Sequence, residues 1–522
     1  MKKKFIFCFA TLLLMLLAFV FVACDSASDK KNEKEKIGKI VYTLKEDDTY
    51  EISGTFYGTD LVIPAEYNGK PVTSIKPWSF NGNDNLISVT IPKSIVEIDD
   101  DSTFRNCREF SVVNYQGTLA DWCNGGFQFN LLCNGSTEKS LYIDGKLIEG
   151  HVEIPEGVTK IGDDAFRSYL RITSITIPST VTAIGAYAFD ECNKLLEVYN
   201  KSSLEIKKGK RDNGCIAENA KNVYTNEGGS KIETDHSGLV YYVDGSSKIL
   251  IDYTGSNSDV IIPSDVSEIL EYAFYYRKKL SSITISDSVT EIGYSAFEGC
   301  SGLSSITVSE RNPIYFSKDN CLILCAEKDL ILGCKNSVIP SDGSVEIIDY
   351  CAFYKCSGLT DLTIPEGIKE IGSYAFSRCD NLTVVKIPST VEYMGDGVFG
   401  GCRKLKTVIF AEGDYQEGSI VDGFSDCVAL ENIIIPEGIE YLGDQAFMDC
   451  GLRSITLPAS LKEIDTEAIC DCRNLTEIHY HGTIAEWRSV NRGFNVFNVG
   501  KNCKVYCSDG VIPLYEDDDY DY

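Results

Sequence analysis

Apolar residues return along this chain in one fixed order about every 23 residues: a Leu, an Ile-Pro, a Val or Ile, an Ile-Gly, an Ala-Phe and a Cys. The clearest copy runs through Leu359, Leu362, Ile364-Pro365, Ile368, Ile371-Gly372, Ala375-Phe376 and Cys379, and restarts at Leu382. A period of this length is the mark of stacked structural repeats. Phenylalanine sets the register at Phe80, Phe104, Phe166, Phe189, Phe274, Phe297, Phe353, Phe376, Phe399, Phe424 and Phe447, with Ile469 in the last copy, so twelve coils are visible.

Within a copy, Leu362 and Ile364 alternate with Asp361 and Thr363, the period of a strand with one buried face. Pro365 has no N–H for a ladder and ends that strand. Apolar residues from Ile368 to Cys379 are unevenly spaced around Gly372, which predicts a turn followed by a short helical segment. One such coil cannot bury its apolar side alone, whereas stacked copies share a continuous core. The expected fold is therefore an α/β repeat solenoid, a right-handed coil with one parallel β-sheet, strands ~4.8 Å apart, and short helical or turn returns.

Leu359-x-x-Leu362-x-Ile364 fits the opening half of a leucine-rich repeat, although the usual Asn further on is missing. The phrases Ile154-Pro155-Glu156-Gly157-Val158-Thr159-Lys160-Ile161-Gly162 and Ile364-Pro365-Glu366-Gly367-Ile368-Lys369-Glu370-Ile371-Gly372, each followed by Ala-Phe, resemble the BspA-like leucine-rich-repeat proteins of bacterial surfaces. Two accessory phrases, Tyr115-Gln116-Gly117-Thr118-Leu119-Ala120-Asp121-Trp122 and Tyr480-His481-Gly482-Thr483-Ile484-Ala485-Glu486-Trp487, resemble that family's repeat-terminating segments. The likeness covers nearly all of residues 60 to 512. It implies attachment to protein ligands on host matrix or on other bacteria.

The N-terminus changes the picture from a repeat array to a tethered one. Lys2-Lys3-Lys4, an apolar run from Phe5 to Val22 and Ala23-Cys24 have the parts of an export signal. A Cys after a small residue, followed by the polar stretch Asp25 to Lys36, resembles a bacterial lipoprotein junction, so Cys24 is the expected lipidation site. An uncleaved membrane helix is the alternative, and either would hold the chain at the outer face of a membrane. The expected organisation is a signal peptide over 1–23, a flexible tether over 24–37, an N-terminal strand cap over 38–69, a solenoid over 70–502 with degenerate copies at 199–262 and 309–340, and a cap with an acidic tail over 503–522. Whether 199–262 holds degenerate coils or a side loop stays open.

A net charge of -28 argues against nucleic acid as a partner. Nine of the 21 cysteines, Cys107, Cys192, Cys300, Cys356, Cys379, Cys402, Cys427, Cys450 and Cys472, fall three residues after the marker Phe or Ile. Such a slot behaves as a small core hydrophobe, and neighbours one strand spacing apart are too distant for a disulfide, so thiols are expected there. The remaining Cys, including Cys123 and Cys133, Cys321, Cys325 and Cys334, and Cys503 and Cys507, lack the paired spacing of a zinc site, and no metal or other cofactor is assigned.

No phosphate loop, G-x-G-x-x-G or H-E-x-x-H occurs, so no catalytic residue is assigned and the chain is expected not to be an enzyme. His479 and His481 alternate on the last strand without a carboxylate at fixed spacing. Binding fits better, because an array fixes its buried slots and leaves the outward ones to vary. The outward slot reads Thr90, Asn114, Thr176, Tyr199, Thr284, Thr307, Thr363, Lys386, Ile409, Ile434, Thr456, His479. Lys386, Ile409 and Ile434 break the Thr background in consecutive coils, with Val384 and Thr407 in the neighbouring outward row, and these five form the candidate contact patch. A local shield under the Ala411 to Gly423 loop is the structural alternative. The competing functions are an envelope scaffold without a host ligand and, more distantly, an exported glycan-processing enzyme.

Overall fold

The computed structural model describes residues 38–515 apart from 99–101, 126–130, 133–137, 226–227 and 414–419. Cys24, Cys133, the Asp99-Asp100-Asp101 run and the acidic tail after Tyr515 lie outside the described residues.

Each coil begins with the expected strand. Asp361–Thr363 pairs in parallel with Val384–Ile387, which pairs with Thr407–Phe410, and Leu362, Val385 and Ile387 point into the core. After Pro365 the chain turns at Gly367, whose φ of +95° is a left-handed conformation that only glycine adopts without strain. The same turn recurs at Gly157 and Gly438. The chain then enters a second ladder of two-residue strands: Ile347–Ile348, Glu370–Ile371 and Tyr393–Met394 pair in parallel. Gly372 follows at a close approach between coils, where a Cβ would stand 2.7 Å from the backbone nitrogen of Tyr350.

Two expectations are corrected here. The coil carries two parallel ladders, not one sheet, each broken along the solenoid into several runs. The return around Phe is not helical either. In the Phe376 coil, Tyr374 (φ +59°) and Arg378 (φ +56°) flank the ring two residues away on each side, and Tyr272 with Tyr276 and Cys351 with Lys355 repeat the device. Left-handed residues so placed interrupt any α-helix, so Phe sits on a corner of turns. Among the described residues the α-helices are Leu119–Asn124 and Ile484–Ser489, both in the accessory phrases. Thr118 with Asp121, and Thr483 with Glu486, close reciprocal capping boxes that start them, and the buried Trp122 and Trp487 pin them to the core.

The marker rings stack through the array. Phe353, Phe376, Phe399, Phe424 and Phe447 form a column with centroids 5.0, 5.3, 5.2 and 5.5 Å apart, and Phe166 with Phe189 and Phe274 with Phe297 form shorter ones. Beside them runs a row of thiols with a polar task. The Sγ of Cys379 donates to the carbonyl of Phe353 at 3.2 Å, and Cys402, Cys427, Cys450 and Cys472 do the same to Phe376, Phe399, Phe424 and Phe447 at 3.3, 3.4, 3.0 and 3.1 Å. The slot therefore takes a small apolar side chain that can still satisfy one buried carbonyl. Burial pushes the Cys402 thiol up to about 12 and raises the Cys379 thiol well above its ordinary value. A short iodoacetamide pulse read by peptide mass spectrometry should label the exposed Cys325 first and leave Cys379 and Cys402 unmodified until denaturant is added. Equal labelling of Cys379 and Cys325 would contradict the buried row.

Two stretches depart from the coil in the same way. Residues of Ile232–Thr234, Leu239–Asp244 and Ser247–Tyr253 form an antiparallel meander whose last strand pairs in parallel with Glu268–Ile269. Tyr315–Lys318, Cys321–Leu324 and Asp329–Leu332 repeat it, feeding Ile347–Ile348. The ends are closed by hairpins: Gly38–Leu44 with Tyr50–Phe56, and Lys504–Cys507 with Gly510–Pro513.

Coils far apart in sequence also meet. Arg108 pairs with Asp84 at 3.4 Å and with Asp426, and Arg403 reaches back to Asp84, joining corners more than 300 residues apart. Further along, an Asp stands one or two residues after each second-ladder strand, at Asp396, Asp422, Asp444 and Asp465. Burial pushes the Asp422 carboxyl up to about 7, Gly423 N–H opposes this, and the three neighbouring carboxylates add to it. A raised carboxylate favours the protonated fold, so stability falls as pH climbs from the ordinary Asp range towards 7. Asp422→Asn should therefore stabilise the protein at pH 8, by at most about 4 kcal/mol, with the gain gone below about pH 4. Thermal melts of both proteins across that range check it, and an equal gain at pH 4 would contradict the assignment.

Candidate functional site

The outward side of the first ladder is the surface on which the expected binding residues fall. Val384 lies beside Thr407 and Lys386 beside Ile409 in a parallel register, so two outward rows continue across the two strands. Ile409 is 43% and Ile434 66% exposed, and Lys386 and Thr407 are exposed as well. Ile434 belongs to the next run, Asn432–Ile434, which pairs onward with Ser454–Leu457; the ladder is interrupted between Thr407–Phe410 and that strand. The structure thus brings four of the five residues onto one continuous sheet and sets Ile434 beyond a break. Residues 414–419 of the proposed shielding loop lie outside the described residues.

A second feature of the same side was not singled out from sequence. Thr176, Tyr199 and Tyr224 are direct neighbours on Ile172–Ile177, Glu197–Asn200 and Asn222–Tyr224. The two tyrosine rings stack with centroids 4.9 Å apart, and the imidazole of His151 meets Tyr199 edge-on at 5.6 Å. His151 is itself held between the hydroxyls of Ser174 at 2.8 Å and Thr176 at 3.2 Å.

Behind the rings lies Glu197, a fully buried carboxylate. It accepts from Tyr199 Oη at 3.0 Å, Ser230 Oγ at 2.8 Å, the backbone N–H of Lys231 at 2.8 Å and, more weakly, Tyr224 Oη at 3.5 Å. These bonds tie the two strands to the segment entering the meander. Burial pushes both phenols up to about 12, so the hydroxyls stay protonated donors at neutral pH. The rings, Asn200, Lys201, Thr225 and the start of that segment line an open cavity of about 750 Å³. Its signal was present in the sequence: Tyr199 breaks the Thr row, and Tyr224 occupies the equivalent slot one coil later.

Other clusters carry their own counterions. Asp190, Cys215 and Glu218 come within 4.8 Å of one another, but Arg211 lies 2.6 Å from both carboxylates. Arg211 ends the basic run that begins at Lys207, and Lys207 is paired with Glu205, so both ends of that run are paired locally. His479 turns to Glu477 and stacks on Tyr506, whereas His481 pairs with Glu437, so the two imidazoles do not converge. No helix among the described residues is long and apolar enough to cross a membrane.

Compared with known families, the repeat matches the BspA type leucine rich repeat region in six copies over residues 53–150, 146–217, 251–327, 330–418 and 421–495. Nothing among the curated proteins matches in sequence. Among solved structures, a leucine rich cell surface protein from Faecalibacterium prausnitzii is 24% identical, with 88% of this chain and 98% of that one covered and a TM-score of 0.36. A leucine-rich repeat protein from Eubacterium ventriosum is 20% identical over 91% and 95% at a TM-score of 0.42. The pneumococcal vaccine antigen PcpA is 16% identical over 91% and 94% at 0.33.

Proposed function

Given that the chain belongs to the BspA-type leucine-rich repeat family, we propose that it is a surface-exposed protein, anchored to the outer face of a bacterial membrane through lipid on Cys24, that attaches to proteins of host matrix or of other bacteria. Support for the anchor is the Ala23-Cys24 junction after an apolar run. Support for attachment is the outward side of the first ladder, where Ile409 stands exposed beside Lys386, and Ile434 beyond the break, in a row otherwise rich in threonine. Apolar side chains exposed together on adjacent coils lose water on contact with a partner, and anchors of this kind cost above ~2 kcal/mol each when truncated.

The test uses the mature protein, with intact-mass measurement of its N-terminus to check acylation at Cys24. Ile409→Ser with Ile434→Ser is compared with Thr284→Ser with Thr307→Ser for capture by immobilised host matrix proteins and by whole bacteria, after matching thermal melts. Attachment should fall at least tenfold in the first double variant only. Equal capture by both would remove this patch as the contact surface.

A further inference from the structure

We propose that the cavity walled by Tyr199 and Tyr224 is a binding site for one neutral sugar unit of a glycan. The site is separate from the Ile409 patch and does not depend on it. A pyranose ring has an apolar C–H face and a rim of hydroxyls, so it is matched by an aromatic wall with hydroxyl, imidazole and amine groups around it. The cavity offers that combination: stacked tyrosines and the His151 ring, with Ser174, Thr176, Lys201 and Thr225 around them. At about 750 Å³ it falls in the usual size range of a small-ligand pocket.

The Tyr199 and His151 walls are held before any ligand arrives. Glu197 is buried and binds Tyr199, Ser230 and the Lys231 backbone, so the first ring and the edge of the cavity are held by one carboxylate. His151 is fixed in turn by two hydroxyls on the strand between. A pre-organised wall lowers the ordering cost that weak sugar binding must overcome.

The same details select against metal ions and polyanions. A metal cation would need an unengaged carboxylate, and both oxygens of Glu197 already accept protein donors. A polyanion such as a sulfated glycan or nucleotide would approach a chain of net charge -28. A neutral saccharide meets neither penalty.

Saturation-transfer NMR and titration of the mature protein with glucose, galactose, mannose and N-acetylglucosamine test this, with a heparin disaccharide as the charged probe. At least one neutral sugar should bind with a dissociation constant on the order of 1 mM and show transfer to its ring C–H protons. Tyr199→Ala should weaken it by about tenfold or more, Tyr199→Phe should retain most of the binding because the ring remains, and Ile409→Ser with Ile434→Ser should leave it unchanged. Matching melts exclude misfolding of the variants. Silence with all four sugars, undiminished binding in Tyr199→Ala, or preference for the heparin disaccharide would overturn the proposal. Loss of matrix capture with sugar binding intact would instead fall on the Ile409 patch alone.

Discussion

Replacing Asp252 by Ala should cost about 3 to 5 kcal/mol, because it strands a cation that has no water to turn to. Lys194 is fully buried, and its ammonium lies 2.8 Å from Asp252. Arg277 approaches the same oxygen at 2.9 Å, donates to the Tyr253 carbonyl at 2.6 Å and binds Glu138 at 3.0 Å, and Glu138 also receives Arg171 at 2.9 Å. This network links the stretch leading into Ser140–Ile143, the meander and the coils on either side of it. Burial alone would raise the Asp252 carboxyl, but Lys194 and Arg277 together hold it below its ordinary value. A depressed carboxylate contributes stability above its unfolded pKa and loses it as pH falls through the folded value, so this region should loosen in acid below about pH 4. Urea unfolding with hydrogen exchange on residues 190–280 measures both effects. Lys194→Met with Asp252→Leu should recover most of the loss, since an apolar pair of similar volume removes the stranded charge. An Asp252→Ala protein that melts like the parent would show that the ion pairs carry no weight.

Phe376→Ala should be nearly as damaging, at about 3 to 5 kcal/mol, through a cavity in the middle of the ring column. Phe376 is fully buried between Phe353 and Phe399, and its backbone N–H bonds to the carbonyl of Val398 in the next coil. Because each repeat contacts mainly its neighbours, the damage should stay local. Limited proteolysis should open the chain near residues 355–400 while the coils before residue 150 resist cutting. Uniform protease resistance in the variant would remove the column from the list of stabilising features.

The period, the inward Leu and Ile positions and the Phe register were legible because burial constrains them in every copy. The second ladder was not. Its strands are two residues long, as at Glu370–Ile371, too short for alternation to register, and the following Gly372 and Ala375-Phe376 look compatible with a helical turn. Left-handed backbone at Tyr374 and Arg378 decides otherwise, and those residue types do not announce it. The thiol slot was legible as small and apolar, but its bond to a Phe carbonyl requires knowing where the previous coil's backbone lies. Contacts such as Arg108 with Asp426 depend on curvature summed over many coils, which no local pattern encodes.

That pairing has a mechanical side. A straight stack of coils would transmit a pull along its whole length at once, whereas here Arg108, Asp84, Asp426 and Arg403 fold the rod back on itself. The pairs are partly solvated, so they are weak beside the ladder hydrogen bonds and the packed rings, and salt screens them. Under tension they should part before any coil opens. Pulled apart between its first and last described coils, the array should therefore lengthen in two stages, first as this catch opens and later as coils unstack.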